Sequence, residues 1–216
     1  MLFRDALMLV IDKPAGIAVH PGPGRGPNLE AGFDALRFGL PRPPALAHRL
    51  DRDTSGCLVL GRHRKALRKL GTLFQQGRIE KVYWAVVEGH PPEDAGRIEE
   101  PIGKREQRTG WHMRIDPAGQ PAVTDWQVLG RTATTAWLEL RPRTGRTHQI
   151  RVHCAGLGCP VKGDRVYGDP GASGPLLLHA RALKIPLYPA KPPIAVEAPV
   201  PPHLRDTLAA CGFAGV

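Results

Sequence analysis

The spacing of hydrophobic positions changes period several times along this chain. Over residues 80–89, EKVYWAVVEG alternates, which predicts a strand with Val82, Trp84 and Val86 on one face and Tyr83, Ala85 and Val87 on the other. Over 63–77, HRKALRKLGTLFQQG has Leu67, Leu70, Leu73 and Phe74 at helical spacing and Gly77 as a stop. GCLVLGR (56–62) reads as a short buried strand, and AVTDWQVLG and TAWLELRP as two more. LMLVIDKPAGIAVHPGPGRGPN reads as a strand, a Pro-Gly turn, a second strand and a flexible Gly/Pro loop. Asn28 is placed to cap a short helix carrying Leu29, Phe33, Leu36 and Leu40, and PRPPALA follows as a rigid connector. Residues 90–121 are polar and rich in Gly and Pro, as a hairpin or mobile arm would be. TGRTHQIRVHCAGLG predicts a threonine cap, a helix of nine or ten residues and a stop at Gly156. PLLLHARALKIPL is strand-like and the tail is Pro-rich. Strands interrupted by single helices, with no βαβ rhythm, predict an α+β fold in a single domain over 1–216.

Composition narrows the class. The 216 residues are 42% hydrophobic, enough for a packed core. No run of about 18 apolar residues occurs, and MLFRDALMLVIDKPAG lacks the apolar centre and cleavage site of a signal peptide. Cys57, Cys154, Cys159 and Cys211 stand at irregular spacings with no C-x-x-C pair, which points to reduced thiols and a cytoplasmic protein. The formal charge of +10 implies an anionic partner, nucleic acid first. Arginine supplies 22 of the 30 cations, so part of that charge is compositional bias.

Candidate chemistry is concentrated in a few stretches. In HRLDRDTSG (48–56), Asp51 and Asp53 are two residues apart, about 6.5 Å on an extended chain. That separation fits a glycosidase carboxylate pair, but Asp and Ser beside Gly are also ordinary turn residues. Cys154, Cys159, His148 and His153 match no standard zinc spacing. GPGRGPN lacks the Lys-Ser/Thr of a phosphate loop. RPRTGRTHQIR carries Arg141, Arg143, Arg146 and Arg151, readable as an exposed basic face or as anion binders at a helix N-terminus.

Four blocks in one order resemble the RluA-type family of RNA pseudouridine synthases over nearly the whole chain. VIDKPAGIAVHPG is similar to the family's opening strands, HRLDRDTSGCLVLGR to its catalytic loop and KVYWAVVEG to its Lys-x-Tyr strand. RPRTGRTHQIRVHCAGLGCPVKGDRVYG followed by LLLHA resembles its C-terminal signature. The resemblance implies a pseudouridine-synthase-like catalytic core, with a mixed, mainly antiparallel sheet, flanking helices and a central basic cleft. It implies isomerisation of specific uridines in structured ribosomal or transfer RNA, with the target base flipped out. Asp51, which directly follows His-Arg-Leu, becomes the catalytic candidate, and Asp53 a turn residue. Tyr83 matches the family's active-site tyrosine, and Arg151 the arginine that pairs with the aspartate. Arg49 would fill the space the base vacates. Lys81, Arg146 and His148 are candidate RNA contacts, 90–121 is a candidate RNA-contacting arm, and the basic helix 63–77 a further candidate for recognition. No cofactor or metal is implied, and a monomer is expected. The first block begins within ten residues of Met1, so the small N-terminal RNA-binding domain of many relatives is not expected here. The rival reading is a catalytically idle RNA-binding or ribosome-assembly protein with the same fold.

Overall fold

The computed structural model describes residues 1–21, 26–107 and 110–215. In chain order its strands and helices are β1 (Phe3–Arg4), β2 (Met8–Lys13), β3 (Ala45–Leu46), β4 (Ser55–Gly61), α1 (Arg64–Gln75), β5 (Glu80–Glu88), β6 (Ala95–Ile98), β7 (Ile102–Gln107), β8 (Gly110–Ile115), β9 (Thr124–Arg131), β10 (Thr135–Pro142), α2 (Gln149–Gly156), β11 (Leu178–Ile185), β12 (Ile194–Glu197) and α3 (Pro202–Ala210). The fold is α+β and mainly antiparallel. It divides into two compact units, each assembled from separated stretches of chain: Met1–Lys81 with Ala180–Pro199, and Val82–His179 with Val200–Val216.

The first unit is a sheet in the order β1-β2-β4-β11, with β3 beside β4 and β12 beside β11. All seven residues of β4 are buried, which is why its sequence is an apolar run rather than an alternation. Gly56 must be glycine: its φ is +107°, and a Cβ there would lie 2.3 Å from the Ala180 carbonyl oxygen. α1 starts where the His63 ring nitrogen accepts from Ala66 N at 3.2 Å, and it ends at Gly77, φ +65°. Its Ala66, Leu70 and Leu73 face inward. Leu70 and Leu73 join Met8, Val10, Val59 and Ile185 in one core, where a fully buried leucine such as Leu70 contributes about 1.5–3 kcal/mol.

The second unit is a sheet in the order β5-β10-β9-β6, with β7 and β8 as a separate hairpin inside the 90–121 stretch. The two faces of β5 follow the predicted alternation. Ala85 and Val87 enter a core with Leu138, Ile150 and Cys154, against which Tyr83 packs, while Val86 and Trp84 enter another with Trp137, Leu204 and Leu208.

Four local expectations are corrected. The second strand expected after the Pro-Gly turn is reduced to a single parallel bridge, Ala18 to Asn28, and residues 22–25 of the Gly/Pro loop lie outside the described residues. Asn28 does cap a helix, accepting from Ala31 N at 3.2 Å, but Leu29–Leu36 is a 3-10 helix in which only Phe33 is buried. The connector PRPPALA contributes β3. The Pro-rich tail holds α3, which starts with proline in its first turn, buries Leu204 and Leu208 one turn apart, and stops before Gly212 at φ +95°.

Candidate active site

The HRLD stretch lies in the first unit, between β3 and β4. His48 orients it: its Nε2 accepts from Val59 N at 3.0 Å, and its ring stacks on Phe74 of α1 with centroids 4.4 Å apart. An Nε2 that accepts from an amide belongs to a neutral ring. Burial, with Lys81 as a second cause, pushes the His48 pKa down to about 3. Leu50 is buried, Arg49 is exposed and Asp51 is half-buried. Thr54 N donates to Asp51 O at 3.2 Å and closes a turn over 51–54. Arg52 and Asp53 stand exposed at its tip, whereas Thr54 and Ser55 are buried at the start of β4.

Lys13, from the DKPAG stretch, holds this turn from below. It is fully buried, and its ammonium donates at 2.8 Å to each of the Pro14, Ile17 and Arg52 carbonyls. Gly16 N also donates to Arg52 O, at 3.0 Å, and Arg52 Nε to Gly16 O at 3.1 Å. Burial pushes the Lys13 pKa down to about 8, while the negative charges of Asp53 and Asp51 pull it back up. The turn that presents Asp51 is thus tied to the 13–17 turn by a positive charge with three carbonyl acceptors. Lys81, at the start of β5, is also pushed down to about 8 by burial.

The remaining candidates lie in the second unit. Tyr83 pairs with Leu140 of β10 and is half-buried. α2 runs for eight residues, shorter than expected, and is not capped by a threonine. His148 takes the cap position in the left-handed region, φ +54°, with no side-chain capping bond. Gln149 organises the entry instead. Its Oε1 accepts from Thr144 Oγ1 at 2.7 Å and Arg146 N at 3.0 Å, and its Nε2 donates to Val123 O and Thr124 Oγ1. The helix ends at Gly156 as expected, where a Cβ would meet Ile115 Cδ1 at 2.4 Å, and Gly158 turns the chain away in the left-handed region, φ +78°.

Arg151 is buried, and its Nε and Nη2 donate to the Asp164 carboxylate at 2.7 and 2.8 Å. Asp164 Oδ1 also accepts from the Val166 and Tyr167 amides. Burial alone would raise the Asp164 pKa; the Arg151 fork and those two amides outweigh it and hold the carboxyl below its usual range. The Tyr167 ring lies 4.9 Å from the guanidinium carbon of Arg151. Its hydroxyl accepts from Met113 N at 3.0 Å and lies 2.7 Å from His148 Nδ1. Asp164 and Tyr167 were not singled out from the sequence. Their signal was the DRVY stretch, in which an aspartate accepts from amides two and three residues on.

The arginines of RPRTGRTHQIR do not cluster at one helix end. Arg141 pairs with Glu139 at 2.7 Å, Arg143 with Asp125 at 2.6 Å, and Arg146 donates to Pro121 O at 3.0 Å. Cys154 and Cys159 are buried free thiols, and His153 bonds to Thr124 Oγ1 and Glu100 O. Among the described residues, no group of three His, Cys, Asp or Glu side chains is arranged to hold a metal, and no helix is long and apolar enough to cross a membrane. Of the candidates, Arg49, Asp51 and Lys81 belong to the first unit, and Tyr83, Arg146, His148 and Arg151 to the second.

The profile of the RNA pseudouridylate synthase family matches residues 7–156, and the chain belongs to that family. It is 44% identical to an uncharacterised RNA pseudouridine synthase of Zymomonas mobilis, over 95% of each chain. It is 34% identical to the ribosomal large subunit pseudouridine synthase C of Vibrio cholerae, over 96% of this chain and 68% of that one. Among solved structures it superposes on human RNA pseudouridylate synthase domain containing 4 with a TM-score of 0.81 and 30% identity, covering 98% of this chain and 92% of that one.

Proposed function

We propose that this chain isomerises specific uridines in structured ribosomal or transfer RNA to pseudouridine, with Asp51 as the catalytic carboxylate. In that reaction the C1′–N1 bond breaks, the uracil turns, and a C1′–C5 bond forms. The C5 proton leaves, N1 takes one up, and no atoms are gained or lost. The observation that carries the reading is the Asp51 turn itself, tied through the Arg52 carbonyl to a buried ammonium that also holds the Pro14 and Ile17 carbonyls. Such rigidity suits a carboxylate that must meet a flipped-out nucleotide at a fixed angle. Arg49, exposed two residues earlier, fills the space the base leaves. Tyr83 stacks on the uracil and serves proton transfer through its hydroxyl. Arg151 carries the positive charge that the family pattern sets against the aspartate. Lys81, Arg146 and His148 contact the RNA, and the β7–β8 hairpin extends that contact. The ribosomal large subunit in the name of the Vibrio relative makes ribosomal RNA the first substrate to test.

The test is tritium release from RNA labelled at C5 of uridine. Asp51→Asn should release none while still binding RNA, and Asp53→Asn should keep parental activity. Release by Asp51→Asn at the parental rate would remove Asp51 from the chemistry. A parent protein inactive on all cellular RNA would favour the idle RNA-binding rival.

A further inference from the structure

The first unit carries a second feature that the proposed chemistry does not use. A groove of about 630 Å³ runs between α1 and the segment 186–193. Lys65, Arg68, Lys69, Arg78 and Lys191 line it, and among the described residues no carboxylate does. On α1, Lys65, Arg68, Lys69, Thr72 and Gln76 fall at helical spacing along one side, away from the inward Ala66 and Leu70. The facing wall, PLYPAKPP, is stiffened by four prolines with fixed φ. Tyr188 is fixed within it by a 2.7 Å bond from its hydroxyl to Asp5, and the Lys69 and Lys191 ammonium groups lie 5.6 and 5.5 Å from its ring centre.

The charges on α1 work against the helix. It contains Arg64, Lys65, Arg68 and Lys69 and no acidic residue. Arg64 and Lys65 occupy the first turn, where the helix dipole disfavours cations. Arg64 with Arg68, and Lys65 with Lys69, are like-charge pairs one turn apart, which repel. None of the five groove cations has a carboxylate partner among the described residues. An arrangement that costs the helix stability gains only from an outside polyanion. The groove side of α1 from Lys65 to Gln76 is about 16 Å long, enough for a short run of phosphates. At the same end of α1, Phe74 stacks on His48 of the Asp51 stretch.

Resting on the proposed RNA reading, we infer that the α1/186–193 groove is an auxiliary docking site for the phosphate backbone of the substrate RNA, flanking the target uridine. It binds backbone rather than reading bases, because every charged side chain that lines it is a lysine or an arginine. The Arg68→Gln/Lys69→Gln/Arg78→Gln triple variant tests it against a fluorescent ribosomal RNA fragment at 50 to 200 mM salt. Losing three phosphate contacts should lower the slope of log affinity against log salt by about two to three. The KM for ribosomal RNA should rise at least tenfold, with kcat at saturating RNA unchanged. The melting temperature should not fall, since the residues are surface cations that repel one another. A parental slope and KM would overturn the inference and leave the proposed function standing. A reduced slope from a parent protein that makes no pseudouridine would keep the groove and sink that function. A parental RNA slope together with lost binding to phosphatidylglycerol vesicles would assign the groove to a membrane instead and overturn the inference.

Discussion

Replacing Lys13 with methionine keeps most of the side-chain volume and removes the charge beneath the Asp51 turn. Three ammonium hydrogen bonds, to the Pro14, Ile17 and Arg52 carbonyls, are lost, and Arg52 O keeps its bond from Gly16 N. Charge-assisted hydrogen bonds contribute ~1.5–3 kcal/mol each. Set against them is the cost of burying the ammonium. Its pKa falls from 10.5 to about 8, which corresponds to about 3 kcal/mol. The difference leaves Lys13→Met less stable by about 2–6 kcal/mol, or roughly 5–20 °C in melting temperature for a chain of this size. The pH dependence has a definite sign. Folded Lys13 releases its proton near pH 8 and unfolded lysine near 10.5, so between those values the unfolded chain holds more protons. Raising the pH therefore adds stability in that window, and the variant should lack this share of the rise. Urea unfolding at pH 7 and pH 9.5, with tritium release measured well below the melting point, would check both consequences. Turnover should fall more than the folded fraction does, because the 51–54 turn loses its anchor. A variant melting within 2 °C of the parent, with the same alkaline rise, would refute the account.

Three further outcomes are expected. Asp164→Asn should cost about 3–5 kcal/mol in urea unfolding, because it removes the buried carboxylate charge to which Arg151 Nε and Nη2 donate; a loss under 1 kcal/mol would show that this pair contributes little to stability. Stability should decline as pH falls from 6.5 towards 3, by up to ~1.4 kcal/mol per pH unit, because unfolded His48 takes up a proton that the folded ring refuses. His48→Gln should flatten that decline, and an unchanged slope would rule His48 out as its source. Tyr83→Phe should bind RNA as the parent does but turn over more slowly, and full turnover would make the hydroxyl dispensable.

The sequence was most legible where one local signal decided the structure. The alternation of β5, the apolar run of β4 and the amphipathic spacing of α1 with its Gly77 stop each needed only neighbouring residues. What escaped depended on partners distant in sequence. A lysine beside proline in DKPAG reads as a surface residue, and one of the carbonyls that make its burial possible comes from Arg52, 39 positions away. Arg151 was singled out, but the carboxylate it forks to within its own unit, Asp164, was not, because that contact spans 13 positions and is reached only when the 164–167 turn folds back on α2. The α2 cap was misread because Gln149 bonds to Val123 and Thr124, residues that local reading cannot bring near. α3 was hidden by the prolines before it, which read only as a Pro-rich tail although proline is at home in a first helical turn.

The interleaved path of the first unit has a consequence for how it is made. During synthesis β4 leaves the ribosome with β2 and β3 already available, but its other neighbour, β11, lies about 120 residues downstream. At ~5–20 residues per second, that edge of β4 waits roughly 6–25 s, with apolar backbone ready to pair with anything extended nearby. The Ala180 carbonyl that approaches Gly56, two residues from the end of the Asp51 turn, arrives only then. The aspartate turn is therefore translated well before the strand that completes its surroundings, and nascent chains short of β11 should depend on chaperones that shield a bare sheet edge.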